Sequence, residues 1–277
     1  MPNEKFTHKK KYGQNFLFND DIPKKIVSLS DLTPEHTVIE IGPGKGILTK
    51  QIASIAKRVY AFEIDVELKE ILNNVCIEYN NVNIVFNDIM KIDLAKFVAE
   101  NCPEDKIAVI ANLPYYITTP IIMMLLESSI NIDFITIMVQ KEVASRITAQ
   151  PNTADYGALT ASINYYARAR KLFNVPAGCF IPKPKVDSAV VKLSLYEHPP
   201  VDALDERLFF DILKASFQQR RKTLLNSLYS YFNGKYTKDE IKEIILNAQL
   251  LETVRGEELS IQQFCIIANL LYRHNNK

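Results

Sequence analysis

Four consecutive residues, Asn112-Leu113-Pro114-Tyr115, close the apolar run Ile107 to Ala111 and combine the groups needed to hold an aromatic amine. The lone pair of such an amine is delocalised into its ring, which makes the nitrogen a poor nucleophile. Two acceptors that grip both amine hydrogens tilt the nitrogen toward tetrahedral geometry and aim the lone pair at an electrophile. The side-chain oxygen of Asn112 and the carbonyl of Leu113 can be those acceptors. Pro114 fixes its own φ and biases Leu113 toward extended geometry, so the pair can be held rigid. Tyr115 can stack on a base turned out of its helix. With a methyl sulfonium as electrophile, the leaving group supplies the driving force and the proton can depart afterwards, so neither a metal nor a strong general base is required. The same residues also suit a plain strand-ending turn with Tyr115 in the core.

A second constellation, Glu40-Ile41-Gly42-Pro43-Gly44-Lys45-Gly46, follows the apolar run that starts at Thr37. Glycines at such a loop let the backbone approach a ligand and turn into a helix. A dinucleotide loop spaces its glycines Gly-x-Gly-x-x-Gly. Here the third glycine arrives one position early, with Ile47 where that motif requires glycine. This favours a ligand without a pyrophosphate, such as the amino-acid end of S-adenosylmethionine, although a tight turn with close helix packing would use the same residues. Two further apolar runs end in carboxylates, Glu63 and Asp88. In an open α/β sheet, ligands sit outside the carboxyl ends of the strands. Glu63 there can accept both ribose hydroxyls and Asp88 an adenine amine; each alone could equally cap the helix that follows.

These residues must be positioned by a sheet. Strands are predicted at Thr37–Gly42, Arg58–Glu63, Asn83–Asp88, Ile107–Asn112, Phe134–Val139 and Val190–Leu195. Between the first of them, apolar residues recur at helical spacing: Ile47, Leu48, Ile52, Ile55 and Ala56, then Leu68, Ile71, Leu72, Val75 and Tyr79. Alternation of apolar strands and amphipathic helices implies a doubly wound α/β fold with a buried parallel sheet. His198-Pro199-Pro200 breaks this pattern, and beyond Asp205 only helical periodicity remains, around Leu208, Ile241 and Phe264. A boundary is therefore expected near Pro199, with domains at 1–198 and 199–277, the second small and helical.

Composition is that of a globular protein, with 47% hydrophobic and 23% charged residues, which leaves ample material for a core. The net charge of +1 disfavours a nucleic-acid binder, but its distribution favours one. Six lysines face two aspartates in Lys5–Lys25, and eight basic residues face three acidic ones in Lys141–Lys192. Such blocks suit a one-sided RNA surface, as they also suit solvated helix faces. Cys76, Cys102, Cys179 and Cys265 are scattered without metal-ligand spacing, so reduced thiols in a cytoplasmic protein and no metal site are expected. Met1 to Leu17 lacks the apolar stretch of a secretory leader, and no run is long enough to span a bilayer, so no membrane association is expected.

Taken together, these motifs resemble the ribosomal small-subunit adenine-N6 dimethyltransferase family almost end to end. The resemblance extends to the opening Gly13-Gln14-Asn15-Phe16-Leu17 and to the segment Phe180-Ile181-Pro182-Lys183-Pro184-Lys185-Val186-Asp187-Ser188. It also covers Gln219-Arg220-Arg221-Lys222-Thr223-Leu224 and the stretch Arg255 to Ser260. It implies a Rossmann-like class I methyltransferase sheet with a helical C-terminal domain for docking to RNA or the subunit. The implied cofactor is S-adenosylmethionine, and the implied partner is small-subunit rRNA within an immature small ribosomal subunit. Two neighbouring adenines in the 3′-terminal hairpin would each receive two methyl groups. By the same resemblance Asn15 and Leu17 close over the cofactor, Gly42 lines it, Glu63 holds the ribose and Asp88 the adenine. Asn112 would touch cofactor and target amine, and Phe180 would sandwich the base opposite Tyr115; without the resemblance, Phe180 between Cys179 and Ile181 reads as core. Arg220, Arg221 and Lys222 read as phosphate contacts or as a solvated helix end. A large-subunit rRNA adenine methyltransferase of the macrolide-resistance type shares the sheet, and a non-catalytic ribosome-assembly factor could retain the fold.

Overall fold

The strongest apolar runs become the centre of a seven-stranded sheet. The computed structural model describes residues 15–219 and 221–276. Gly13, Gln14, Arg220 and the lysines at 5, 9, 10 and 11 lie outside the described residues. The central strands are β2 (His36–Ile41), β3 (Arg58–Glu63), β4 (Val82–Phe86), β5 (Lys106–Asn112) and β6 (Ile132–Gln140). They are joined by β7 (Ala167–Val175) and β9 (Ser188–Leu195) in the order β4-β3-β2-β5-β6-β9-β7. All six residues of β2 are buried, and Val38 and Ile39 are fully so. Each such side chain contributes about 1.5–3 kcal/mol by leaving water.

β2 pairs in parallel with both β3 and β5, so the order reverses beside β2 and opens a crevice at the carboxyl ends of β2 and β5. The sheet departs from the all-parallel expectation at one side, where β9 runs antiparallel to β6, with Met138 opposite Val190. β7 was not legible as a strand, because much of it is exposed and its Arg168, Arg170 and Lys171 mask any apolar alternation. A separate two-stranded ribbon pairs β1 (Phe16–Leu17) with β8 (Phe180–Ile181), 163 residues apart by the Leu17–Phe180 register.

The helices follow their periodicity. In α2 (Ile47–Ala53), Leu48 and Ile52 are buried against the sheet. In α3 (Lys69–Cys76), Leu72 is fully buried and packs with Leu68 and Phe16.

The chain divides into two units, one running to Ala144 and resuming at Ala169–Leu195, the other made of Ser145–Arg168 and the residues from Tyr196 onward. The return to the second unit falls close to the expected boundary at 198/199, but Ser145–Arg168 is an exception: expected in the first domain, it joins the helical unit. Its helix, residues Ala158–Tyr166, contributes Ala161 and Tyr165 to a core shared with Leu208, Ile212, Phe264 and Leu271. The Tyr156 hydroxyl, deep in that core, donates to the Leu259 carbonyl at 2.8 Å. Helices Glu206–Gln218, Leu224–Phe232, Lys238–Asn247 and Ile261–Asn275 start at side-chain caps from Asp205, Thr223, Thr237 and Ser260. The helix at Leu224–Phe232 had no clear sequence signal.

Candidate active site

At the carboxyl end of β2 the chain makes three left-handed turns in five residues. Gly42, Gly44 and Gly46 have φ of 71°, 57° and 76°. A Cβ at Gly44 would stand 2.9 Å from the Phe16 ring, and one at Gly46 would stand 2.7 Å from Val75. Glycine is thus required for both backbone and space. The loop is held from β3: Glu63 Oε2 accepts from the Gly44 N–H at 3.1 Å, and Oε1 accepts from the Asp65 N–H at 2.9 Å. Glu63 is 5% exposed. Burial pushes its carboxyl above the usual range, and the N–H donors of Asp65 and Gly44 draw it part of the way back.

Asn112 ends β5 with its side-chain Nδ2 donating to the Asn15 carbonyl at 3.5 Å, a long bond, while its Oδ1 has no partner among the described residues. Leu113 is buried, its N–H bonded to the Met138 carbonyl at 3.2 Å. The turn closes through Pro114, whose carbonyl accepts from Ile117 N at 3.3 Å and from the Thr118 hydroxyl at 3.1 Å. Tyr115 is half-buried, and its hydroxyl shares a 2.7 Å hydrogen bond with the Ser188 hydroxyl. Burial raises the Tyr115 phenol, and Ser188 partly offsets this. Asp88 caps the following turn through Met90 N at 3.1 Å.

One cleft of about 1010 Å³, measured out to its open mouth, is lined by Asn15, Leu17, Gly42, Glu63, Asp88 and Asn112 together with Leu113, Pro114 and Tyr115. Phe180 is not part of it. It is 2% exposed, paired with Leu17 and packed into the core of the first unit. A base cannot stack on a ring whose faces are already covered, so its reading as core is the one the structure supports. The lining also includes residues that received no role in the sequence, among them Glu40, Phe16 and Tyr116. Glu40 stood in the glycine motif, but nothing in the sequence distinguished a buried strand carboxyl from a capping one. Arg221 and Lys222 are exposed just before the helix capped by Thr223. No group of three or more His, Cys, Asp or Glu side chains able to hold a metal, and no helix long and apolar enough to cross a membrane, occurs among the described residues.

Comparison with known proteins decides the family. The ribosomal RNA adenine dimethylase profile matches residues 5–272. The chain belongs to that family. It is 43% identical over 273 residues to the ribosomal RNA small subunit methyltransferase A of Oceanobacillus iheyensis, covering 98% of this chain and 93% of the relative. It is 47% identical over 268 residues to the protein of that name from Streptococcus sanguinis, covering 96% and 92%. Among solved structures, a dimethyladenosine transferase from Plasmodium falciparum superposes with a TM-score of 0.76 at 26% identity, over 94% of this chain and 98% of that one. The 23S rRNA methyltransferase ErmE superposes with a TM-score of 0.72 at 24% identity, over 93% and 100%, which shows a common fold. The family uses S-adenosylmethionine as methyl donor. The cleft suits that donor: a glycine cradle for close backbone approach, carboxylates at two strand ends for a nucleoside's hydroxyls and amine, and a floor carboxyl, Glu40, for a cation.

Proposed function

We propose that this chain transfers two methyl groups to each of two neighbouring adenines in the 3′-terminal hairpin of small-subunit rRNA, acting on an immature small subunit. An rRNA adenine methyltransferase is what its family and its relatives at 43–47% identity make it; the choice of hairpin, the state of the subunit and a cytoplasmic setting are the finer reading. The observation that carries it is the placement of Asn112-Leu113-Pro114-Tyr115 in the same cleft as the glycine loop, Glu63 and Asp88. When bound, the cofactor supplies a methyl group on a sulfonium that is a good leaving group.

The chain's own residues supply position. Asn112 Oδ1 and the Leu113 carbonyl accept the two amine hydrogens of the target adenine, and Tyr115 stacks on its ring. Pro114 and the 3.2 Å bond from Leu113 N to Met138 hold the acceptors still. Glu63 and Asp88 accept from the ribose and adenine of the cofactor, Gly42 allows its close approach, and Asn15 and Leu17 cover it. Tyr115 is the stacking face, without Phe180 opposite. Arg221 and Lys222, with Arg220, bind phosphate and dock the helical unit on the subunit, so binding weakens log-linearly with salt. The experiment is mass analysis of adenosines from purified, undermethylated small subunits incubated with protein and S-adenosylmethionine. Dimethyladenosine at two adjacent positions of the 3′-terminal hairpin is expected; methylation confined to large-subunit rRNA would overturn the reading.

A further inference from the structure

Glu40, the penultimate residue of β2, lines the cleft and is 1% exposed. Among the described residues neither of its carboxyl oxygens has a well-formed hydrogen bond, and the one donor set to favour its charged form is the Thr49 hydroxyl on α2, itself without another partner. An ionised carboxylate left this way is costly, because desolvation is offset by no counter-charge and only in part by the Thr49 hydroxyl. The titratable and charged groups around it do not help. Glu63 from β3 adds like-charge repulsion, and Cys76 from α3, itself within the field of Lys50 on α2, is held neutral by burial that pushes its thiol up to about 11. Lys45 lies over the Phe16 ring at 5.2 Å, and Asp88 is the other acidic group of the lining. Burial pushes the Glu40 carboxyl up to about 8, with Glu63 adding to this and Thr49 opposing it.

We propose that Glu40 is the cation-responsive group of the cleft, neutral while the cleft is empty and ionised when the cationic methionine end of the cofactor enters, so that cofactor binding expels a proton. This rests on the cleft being the S-adenosylmethionine site. The Glu40 O–H bond breaks, the proton leaves to bulk buffer, and the carboxylate is retained beside the ligand cation. Either cation of the methionine end, the ammonium or the sulfonium, has the required chemistry. If it is the sulfonium, Glu40 also distinguishes cofactor from the demethylated product, whose sulfur is neutral.

Calorimetric titration in buffers of different ionisation enthalpy counts the protons. At pH 7, S-adenosylmethionine should release roughly one proton per site, and its affinity should rise about tenfold per pH unit between pH 6 and 8. Adenosine, which has neither cation, should release none. S-adenosylhomocysteine assigns the source: release retained identifies the ammonium, release lost the sulfonium. Glu40→Gln should abolish both the release and the pH slope. Thr49→Val, which removes the group favouring the ionised form, should shift the midpoint of the slope to higher pH and serves if Glu40→Gln does not fold. Binding of S-adenosylmethionine without proton release, equal release with adenosine, undiminished release in Glu40→Gln or an unmoved midpoint in Thr49→Val would each overturn the inference. Failure of the cofactor to bind at all would instead remove the cofactor assignment, and this inference with it.

Discussion

The two ends of the same strands are built to opposite rules. At the amino ends polar side chains pair with one another: His36 Nε2 meets Asp133 at 3.0 Å, and Lys106 Nζ meets Glu35 at 2.6 Å. Asp105 takes both the Thr37 hydroxyl, at 2.5 Å, and Lys57 Nζ, at 2.6 Å. At the carboxyl ends, among the described residues, Glu40 has no well-formed hydrogen bond, Glu63 is occupied by backbone N–H groups alone, and Asn112 makes one long bond. The amino ends are closed by their own side chains. The carboxyl ends keep acceptors uncommitted, which costs stability and leaves them available to a ligand. Position along a strand therefore predicts the consequence of a substitution better than burial does.

The contrast would break first at Asn112. Asn112→Ala should lower dimethyladenosine formation by about a hundredfold or more, the scale for losing one preorganised polar contact in a transition state, with little change in melting temperature. A folded variant with near wild-type turnover would show that the amine is not gripped there. Next is Glu63→Ala, expected to weaken S-adenosylmethionine binding by about 1.5–3 kcal/mol. Because Glu63 also anchors Gly44 and Asp65, this variant should melt earlier too, unlike Asn112→Ala. Titration and thermal melts measured together test the pairing, and unchanged affinity would remove Glu63 from the site.

Tyr115 sharpens the comparison. Tyr115→Ala should slow methylation by the loss of about 1–3 kcal/mol of stacking while cofactor affinity stays put. Tyr115→Phe keeps the ring and orphans the buried Ser188 hydroxyl, so it should cost about 1 kcal/mol of stability and little activity. Equal damage from the two substitutions would transfer the role from ring to hydroxyl.

The smallest functional effect is expected at the opposite end of the sheet. Lys57 and Thr37 hold the Asp105 carboxyl below its usual 3.8. A depressed carboxyl contributes stability above its unfolded value and loses it as pH falls through the folded one, so this contribution fades only below pH 3.8. Asp105→Asn should leave cofactor binding and methylation unchanged and flatten the acid limb of the stability curve. A variant that binds cofactor poorly would show that the two ends are not independent.

The strand runs at Arg58, Ile107 and Phe134, the early third glycine and the strand-end groups Glu63, Asp88 and Asn112 were all legible, because local periodicity and glycine spacing are properties of neighbouring residues. So was the gathering of nearly all proposed site residues in one cleft, since an open α/β sheet brings successive carboxyl ends together. The chain order alone determined that much. Tertiary structure decided the rest. β9 lies between β6 and β7 and runs antiparallel to β6, and Ser145–Arg168 joins the helical unit, because pairing and packing partners far along the chain leave no local pattern. Phe180 is covered by the core and not offered to a base, and Glu40 is left without a well-formed hydrogen bond among the described residues, while Glu63, also an acid on an apolar strand, is not. Solvation and hydrogen bonding depend on which atoms surround a side chain, and only the packed fold sets those.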